Sequence, residues 1–395
     1  MESLLTGLDR INQENDLKKK FKGNIAYLCH QASVDKDCRF GVDIMKEHFS
    51  DKLIKLFGPQ HGLMTDLQEN MIETDHQIHP YYKLPVYSLY SETRKPTKKM
   101  LEEVDHLFID LQDIGTRIYT YIYTLYYAME AAQEEGIQIV VLDRPNPMGG
   151  VLVDGNILED EYKSFVGLIE FPLIHGMTMG EIAHFYKKHF FQEVNLEIIK
   201  MKNWSRELDL ESSGYPWVPP SPNIPSIESC FTFPLTVIYE GTNLTEGRGT
   251  TRPLECVGHP KLKAHQFCYD FEKKYPQFNK MIKLRATYIR PTHHKWENET
   301  CGGVHFHILD RKNLPYFEFS HLICRELKLA LKDEFKWIEP PYEYEYTLTP
   351  IDIINGSNKV REWIEQEDSS LYDLTAIKEA NFNQFLHRRM DCLLY

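Results

Sequence analysis

The chain has 395 residues, of which 42% are hydrophobic and 26% are charged, and its formal net charge is −13. This is the composition of a globular protein long enough for two domains, and its acidic balance argues against nucleic acid or an anionic membrane as a partner. No apolar run approaches the roughly 20 residues of a membrane-spanning helix.

The first half of the chain alternates short apolar segments with amphipathic ones. The apolar segments predict five strands, at 24–29, 53–57, 84–87, 106–109 and 138–142. The segments between them predict helices at 42–48, 97–103 and 119–135. This alternation is the βαβ pattern of a Rossmann-like, doubly wound, mostly parallel α/β sheet.

The middle of the chain, from Arg144 to about Gly258, is rich in loops. Proline clusters there fix extended backbone and exclude regular helix. One helix is predicted at 179–189, because Thr178 and Glu181 form a capping box at its start. An apolar strand is expected at 235–239.

The pattern changes after Gly258. It predicts helices and strands in the order helix 263–274, strand 284–289, strand 303–308 and helix 319–332. We therefore expect a Rossmann-like catalytic domain over residues 1–258 and a smaller auxiliary α+β domain over residues 259–395.

The segment 107–117 is the most informative part of the sequence. An apolar strand ends there in Asp110 and Asp113, followed by Gly115 and Arg117 before an aromatic helix. Ligands of open α/β sheets bind at the carboxyl ends of the strands, so these charged residues are candidates for chemistry. The alternative is structural, with the carboxylates capping the helix and pairing with the arginine.

Nine fragments of the chain, taken together, resemble a known family. In order they are GPQHG (58–62), PVYSLY (85–90), RKPT (94–97), DLQDIGTRIYTY (110–121), DRPNPMGG (143–150), HGMT (175–178), PSPN (220–223), EGRGT (246–250) and CGGV (301–304). The chain is similar to the exo-β-N-acetylmuramidases of the NamZ type, formerly a domain of unknown function. The resemblance implies a Rossmann-like domain with a smaller auxiliary domain, and removal of terminal N-acetylmuramic acid from the non-reducing ends of peptidoglycan fragments.

Glycoside hydrolysis of this kind needs a carboxylic acid for the leaving oxygen and a second group that supports the oxocarbenium-like transition state. Glu92 is the predicted acid, because it follows the strand at 84–87 and its tyrosine and proline neighbours could raise its pKa. The alternative is an exposed glutamate paired with Arg94 or Lys95. Asp113 is the predicted partner, acting as a base toward water or orienting the acetamido nitrogen.

His61 and Gln60 follow the strand at 53–57, so both are expected in the same crevice. A neutral His61 could donate to a sugar hydroxyl or assist proton transfer. Many members of the family have glutamate where this chain has Gln60. If the family's acid lies at that position, this protein is impaired or uses Glu92; if Gln60 only binds sugar, the change is mild.

The lactyl carboxylate of muramic acid calls for a planar cation, and Arg248, Arg117 and Arg94 are candidates. Arg248 is favoured because it lies between two glycines in a tight polar loop, although glutamates near it could instead stabilise that loop. The remaining residues predicted to bind substrate are Asp110, Tyr119, Tyr121, Asn223, Glu240 and Glu246.

Two other functions stay open from the residues alone. A Rossmann-like sheet could serve a nucleotide-using enzyme, but the chain has neither a G-x-G-x-x-G nor a P-loop motif. A non-catalytic sugar-binding protein is the second alternative, which the glutamine at position 60 supports. The sequence predicts no oligomeric state.

Neither a cofactor nor a metal is expected. The histidines at 61, 76 and 79 lack metal-ligand spacing, and the eight cysteines are scattered without a Cys-x-x-Cys pair. Such cysteines favour reduced thiols, and the first ten residues lack the pattern of a secretory signal. We therefore expect a cytoplasmic protein, or a periplasmic or secreted one if a signal peptide has been removed.

Overall fold

The computed structural model describes residues 3–67, 73–366 and 368–395. Its strands are β1 (Ile25–Cys29), β2 (Leu53–Gly58), β3 (Gln77–Ile78), β4 (Pro85–Ser88), β5 (His106–Asp110), β6 (Gln138–Leu142), β7 (Leu196–Ile199), β8 (Cys256–His259), β9 (Ile282–Ile289) and β10 (Cys301–Ile308). Its α-helices are α1 (Gly7–Gln13), α2 (Asn15–Lys20), α3 (Gly41–Phe49), α4 (Lys98–Leu101), α5 (Tyr121–Glu135), α6 (Met179–His189), α7 (Leu210–Ser213), α8 (Ile227–Thr236), α9 (Ala264–Lys274), α10 (Tyr316–Leu331), α11 (Pro350–Asn355), α12 (Lys359–Glu365), α13 (Leu371–Glu379) and α14 (Phe382–Met390). Within these ranges, no helix is both long and apolar enough to cross a membrane.

The larger sheet has seven strands in the order β3-β4-β2-β1-β5-β6-β7. All of its neighbouring strands pair in parallel except β3, which is antiparallel to β4. The five strands predicted in the first half of the chain are therefore confirmed as β1, β2, β4, β5 and β6. The edge strand β7 was not predicted, because only one of its four residues is fully buried and its apolar pattern is weak.

Helices cover both faces of this sheet, as a doubly wound fold requires. Alternate strand residues point to opposite sides. On one side Leu28 and Ile109 pack in a core that includes α5 and α6, and on the other Tyr27 and Phe108 pack with α1 and α3. Burial on both faces explains why the central strands consist of uninterrupted apolar residues.

The smaller sheet is antiparallel, with the order β8-β10-β9, and packs with α9 and α10 in the main core. This confirms a smaller α+β part in the second half of the chain. Strand β8 spans Cys256–His259, so the domain division expected after residue 258 falls inside a strand of this sheet.

The predicted strand at 235–239 is wrong. That segment is the end of α8 followed by a 3₁₀ turn over Val237–Gly241. The helix begins at a capping box, in which Ser226 accepts a hydrogen bond from the backbone of Ser229 at 3.1 Å. Its residues from Ser229 onward are buried on all sides, so the apolar run has no polar face whose spacing would distinguish a helix from a strand.

The helix predicted at 179–189 is confirmed as α6. The Thr178 hydroxyl accepts a hydrogen bond from the Glu181 backbone at 3.2 Å, and the Glu181 carboxylate accepts one from the Thr178 backbone at 3.1 Å. These two bonds are the capping box expected from the sequence.

Arg144 and Asp110 form a buried ion pair at the carboxyl ends of β5 and β6. Arg144 Nε and Nη2 donate to the two carboxylate oxygens, and Tyr27 donates its hydroxyl to Oδ2 at 2.5 Å. Both oxygens of Asp110 thus have protein partners. The expectation that Asp110 binds substrate does not fit this arrangement, because its charge is neutralised inside the fold.

Arg117 is also completely buried, and its guanidinium joins distant parts of the chain. Nη1 donates to the carbonyl oxygens of Asn156 and Phe171, both at 2.8 Å. Nη2 donates to the carbonyl oxygens of Ile354 at 3.2 Å and Asn355 at 2.8 Å. Burial lowers the pKa of Arg117 to about 10, so the group stays charged at neutral pH.

Replacing Arg117 with methionine should destabilise the fold strongly. The variant keeps most of the side-chain volume but leaves four buried carbonyls without a charged donor, at an expected cost of about 3–5 kcal/mol. The free energy of unfolding from urea denaturation measures this loss. The control is Arg10→Met, which removes a partly exposed pair with Glu14 at 2.8 Å and should cost less than about 1 kcal/mol. Equal losses in the two variants would contradict this account of Arg117.

Candidate active site

A cavity that is partly open to solvent lies at the carboxyl edge of the larger sheet. One wall follows β2 and β5, and the other comes from the second half of the chain. The position agrees with the rule that open α/β sheets bind ligands at the ends of their strands. The lining residues are Gln60, His61, Ile118, Tyr119, Thr120, Tyr121, Val166, Ser221, Asn223, Ile224, Phe233, Val237, Glu240, Arg248, Leu254, Tyr342 and Glu343.

His61 lies in the turn after β2 with a positive φ of 72°. Its Nδ1 is 2.7 Å from the carbonyl oxygen of Leu67, which can only accept, so Nδ1 carries the proton. Burial lowers the pKa of the imidazole to about 4, and the charge of Arg248 contributes in the same direction. The ring is therefore neutral near pH 7, and its unprotonated Nε2 can accept a hydrogen bond, whereas the sequence suggested that the ring could donate one.

Gln60 is fixed by the start of α5. Its Oε1 accepts a hydrogen bond from the Thr120 hydroxyl at 2.6 Å. Its amide nitrogen is consequently the atom that can donate to a ligand. Gln60 thus presents a neutral donor where a glutamate would present a titratable group.

Aromatic and amide side chains form the floor of the cavity. Tyr121 donates its hydroxyl to the Pro220 carbonyl at 2.6 Å, which connects α5 to the proline-rich segment. That segment also brings Ser221 and Asn223 to the wall. The Tyr119 hydroxyl is buried and has no hydrogen-bond partner of good geometry in the described part of the chain.

Arg248 lies between two glutamates at the opposite wall. Nη2 donates to Glu240 Oε1 at 2.5 Å, and Nε is 3.0 Å from Glu246 Oε1. Lys295 pairs with the second oxygen of Glu246 at 3.0 Å, and Tyr342 donates to the second oxygen of Glu240 at 2.6 Å. This leaves Nη1 of Arg248 with no hydrogen bond to a described residue.

These charges shift one another's pKa values. Burial raises the pKa of the Glu246 carboxyl, but the charges of Lys295 and Arg248 outweigh burial and lower it overall. Burial likewise lowers the pKa of Arg248, but Glu240 and Glu246 raise it by more. Glu246 and Arg248 therefore remain ionised at neutral pH.

The glycines on either side of Arg248 are required by the backbone conformation and by close packing. Gly247 has a φ of 85°, and a Cβ at this position would lie 2.5 Å from the Arg252 carbonyl oxygen. Gly249 has a φ of 77° and a similarly close approach to the backbone of His293. The sequence suggested that these glycines allow a ligand to approach the backbone. In the fold they instead allow other backbone segments to approach.

Glu343 is a carboxyl group of the cavity that the sequence analysis missed. It is buried, and its Oε2 accepts a hydrogen bond from the Tyr90 hydroxyl at 2.9 Å. Burial, with a smaller contribution from the charge of Glu240, raises its pKa to about 7. A carboxyl group with this pKa is protonated in a large fraction of molecules near neutral pH and can give up its proton. The only signal in the sequence was a glutamate among prolines and tyrosines at 340–346.

Glu92, the predicted acid, is exposed and does not line the cavity. It borders a neighbouring surface depression, which we call the outer hollow. The outer hollow is lined by Glu73, Ser91, Glu92, Arg94, Tyr127, Lys163, Ser164, Phe165, Leu168, Glu343, Tyr344 and Glu345. The placement argues against Glu92 as the acid, because an exposed side chain outside the cavity does not face a sugar bound inside it.

Asp113 and Arg117 lie behind the cavity wall and not on it. Asp113 Oδ2 accepts a hydrogen bond from the backbone of Gly115 at 2.7 Å and lies 3.3 Å from His175 Nε2. The Arg117 guanidinium is taken up by four carbonyls. The structure thus gives both residues positioning roles in the fold and argues against their expected contacts with substrate.

The side chains that bind metals do not gather at this site. In residues 3–67, 73–366 and 368–395 there is no group of three or more His, Cys, Asp or Glu side chains that could hold a metal ion. The reactive groups that the cavity offers are carboxyl, imidazole, guanidinium and phenol.

Comparison with known proteins identifies relatives along the whole chain. The model described as "Exo-beta-N-acetylmuramidase NamZ, N-terminal" matches residues 25–228, and its C-terminal counterpart matches residues 231–395. The two matches meet earlier than the division we expected at residue 258. Peptidoglycan beta-N-acetylmuramidase NamZ of Bacillus subtilis (strain 168) is 39% identical over 391 residues, which cover 99% of this chain and 91% of that protein.

Two solved structures from Bacteroides fragilis NCTC 9343 share the fold. One DUF1343 family protein superposes with a TM-score of 0.86 at 30% identity, and the match covers 99% of both chains. A second has a TM-score of 0.73 at 24% identity and covers 100% of this chain and 99% of its own. The second likeness concerns the fold alone.

His61 should stay neutral, with the proton on Nδ1, across the range from pH 5 to 8. Its pKa of about 4 and its bond to the Leu67 carbonyl are the reasons. Nitrogen-15 NMR of the labelled protein distinguishes the tautomers and follows the titration, and the loss of one signal set in His61→Gln assigns the ring. A midpoint above about pH 6, or an unprotonated Nδ1, would contradict the described geometry.

Proposed function

The chain belongs to the exo-β-N-acetylmuramidase NamZ family, and we propose that it releases terminal β-linked N-acetylmuramic acid from the non-reducing ends of peptidoglycan fragments. It is a glycosidase. The observation that carries this function in the geometry is the presence, in one cavity, of the Glu343 carboxyl group with a pKa of about 7 and the Glu240 carboxylate that Arg248 and Tyr342 hold.

The shape of the cavity suits an enzyme that acts on chain ends. It is a concave site whose apolar and aromatic lining carries a few convergent polar groups, as in sites for small ligands. Both halves of the chain wall it in, so a single terminal sugar enters more readily than the middle of a polymer. The apolar and aromatic side chains of the wall also exclude water from around the reacting bond.

Glu343 is the proposed general acid. As the bond between C1 and the leaving oxygen breaks, its proton passes to that oxygen, and the ring acquires positive charge. The Glu240 carboxylate stabilises this charge electrostatically. Water then supplies the oxygen bound to C1, and its proton returns to Glu343, so the acid is regenerated.

His61 and Gln60 complete the site as neutral hydrogen-bonding groups. Nε2 of His61 accepts from a sugar hydroxyl, and the Gln60 amide nitrogen donates to a sugar oxygen. Because Glu343 supplies the proton in this scheme, glutamine at position 60 is compatible with activity. Gln60, which kept a non-catalytic function open in the sequence, therefore does not argue against catalysis in this scheme.

Arg248 is the proposed recognition group for the lactyl carboxylate. Arg248 lines the cavity, and its charge would bind a carboxylate through the two N–H groups of Nη1 while its other nitrogens hold Glu240 and Glu246. Hydrogen bonds between a guanidinium and a carboxylate are strengthened by the two charges.

The lactyl group should therefore decide the choice of substrate. We expect the enzyme to hydrolyse a chromogenic β-N-acetylmuraminide and to leave the matching β-N-acetylglucosaminide, which lacks only the lactyl group, nearly untouched. Arg248→Lys keeps the charge, but its single nitrogen cannot hold Glu240, Glu246 and the lactyl carboxylate in the guanidinium's fixed geometry, so kcat/KM for the muraminide should fall by about 10–100-fold. Preference for the glucosaminide by the wild-type enzyme would overturn the function, and unchanged kinetics in Arg248→Lys would remove this residue from lactyl recognition.

Replacing Glu343 with glutamine should abolish most of the activity. We expect kcat for the natural disaccharide to fall by about two to four orders of magnitude, with a smaller loss for a nitrophenyl substrate whose leaving group needs little protonation. Since the acid must be protonated, wild-type kcat should decrease as pH rises through about 7, and Glu343→Gln should lack this decrease.

The matched control for Glu343 is Glu339→Gln, an exposed glutamate four residues earlier in the same segment. It should retain wild-type rates on both substrates. A large loss in Glu92→Gln together with full activity in Glu343→Gln would return the acid role to Glu92.

A further inference from the structure

Glu343 lies between the outer hollow and the cavity and lines both of them. This residue is the one that lines both spaces in the described part of the chain. Glu343 and Tyr344 have φ values of 46° and 67°, so two successive residues lie in the left-handed region. If Glu343 protonates the leaving oxygen, the outer hollow is the space beside this acid, outside the cavity, that can receive the departing sugar.

Arg94, which lines the outer hollow, lies among aromatic rings. The guanidinium carbon of Arg94 lies 4.2 Å from the ring centre of Tyr90, 4.4 Å from that of Tyr344 and 5.5 Å from that of Phe165. Arg94 Nη1 also donates to the Ser91 carbonyl at 2.5 Å. These contacts hold the arginine and the rings in fixed relative positions.

Tyr344 keeps a large part of its ring open to the outer hollow, since 40% of the residue is exposed. Its hydroxyl is 3.3 Å from a carboxylate oxygen of Glu73. A rigid, partly exposed aromatic ring beside polar groups is suited to the apolar face of a pyranose, whose hydroxyls remain at the rim.

The charges around the outer hollow disfavour an anionic occupant. The carboxylates of Glu73, Glu92 and Glu345 outnumber the cations Arg94 and Lys163. Lys163 is moreover paired with Asp160 at 2.6 Å. A carboxylate-bearing ligand would meet net repulsion there, whereas a neutral sugar would not.

We propose that the outer hollow is the binding site for the leaving-group sugar, a neutral acetamido pyranose that stacks on Tyr344 while the muramic acid occupies the cavity. The proposal rests on the proposed function, because it takes Glu343 as the acid between the two sugars. It assigns to Tyr344 a contact with the departing unit and no contact with the terminal one.

Two substrates separate this proposal from the function itself. The natural disaccharide carries a leaving-group sugar, and β-N-acetylmuraminyl fluoride carries none. We expect Tyr344→Ala to lower kcat/KM for the disaccharide about tenfold or more, mainly through KM, and to change kcat/KM for the fluoride by less than about twofold. Turnover of the fluoride at the normal rate also shows that the variant is folded.

Two further variants act as controls. Tyr344→Phe keeps the ring and should recover most of the loss on the disaccharide. Tyr346→Ala removes an exposed tyrosine, 69% accessible, from the same segment and should behave as the wild type on both substrates. Equal losses on the disaccharide and the fluoride, or no loss on the disaccharide, would overturn the proposed sugar site. Failure of the wild-type enzyme to hydrolyse either muramic substrate would instead overturn the proposed function.

Discussion

The position of one buried guanidinium, that of Arg117, determines how the two walls of the active site meet. A buried cation is tolerated only where polar groups replace its hydration, and here four carbonyls from three separated segments do so. Two of these segments, at Asn156 and Phe171, lie between β6 and β7, and the third is the end of α11, near the C-terminal end of the chain. Arg117, which follows β5, therefore connects the second half of the chain to the part that carries the larger sheet.

Three glutamates and one arginine share the cavity region, and their environments give them different tasks. Glu246 is ionised because Lys295 and Arg248 lie against it, whereas burial and the nearby charge of Glu240 keep a proton on much of Glu343 near neutral pH. A glycosidase needs a protonated acid beside a carboxylate that stabilises charge, and the proposed partner of Glu343 is Glu240, which Arg248 and Tyr342 hold. The neutral His61 adds no competing charge.

Much of the fold could be predicted from the sequence, because buried parallel strands consist of apolar runs and helices carry caps. The same reasoning located Gln60 and His61, which follow a strand end and line the cavity. It could not foresee the protein partners of Asp110 and Arg117, since a charge at a strand end must have a partner, and a sequence does not tell whether that partner is protein or ligand. It missed Glu343 because that residue lies in an irregular segment, more than 200 residues from the strands whose ends it faces.

The walls of the cavity come from opposite sides of the junction between the two family matches, with Gln60 and His61 before residue 228 and Glu240, Arg248 and Glu343 after residue 231. Neither half contains both the neutral hydrogen-bonding residues Gln60 and His61 and the carboxyl groups Glu240 and Glu343. A gene fragment that encodes only the first half would lack the proposed proton donor, Glu343. One that encodes only the second half would lack the sheet edge that forms the other wall of the cavity. The two halves are thus a single inherited unit, and recombination that exchanges one of them must preserve the fit of the other.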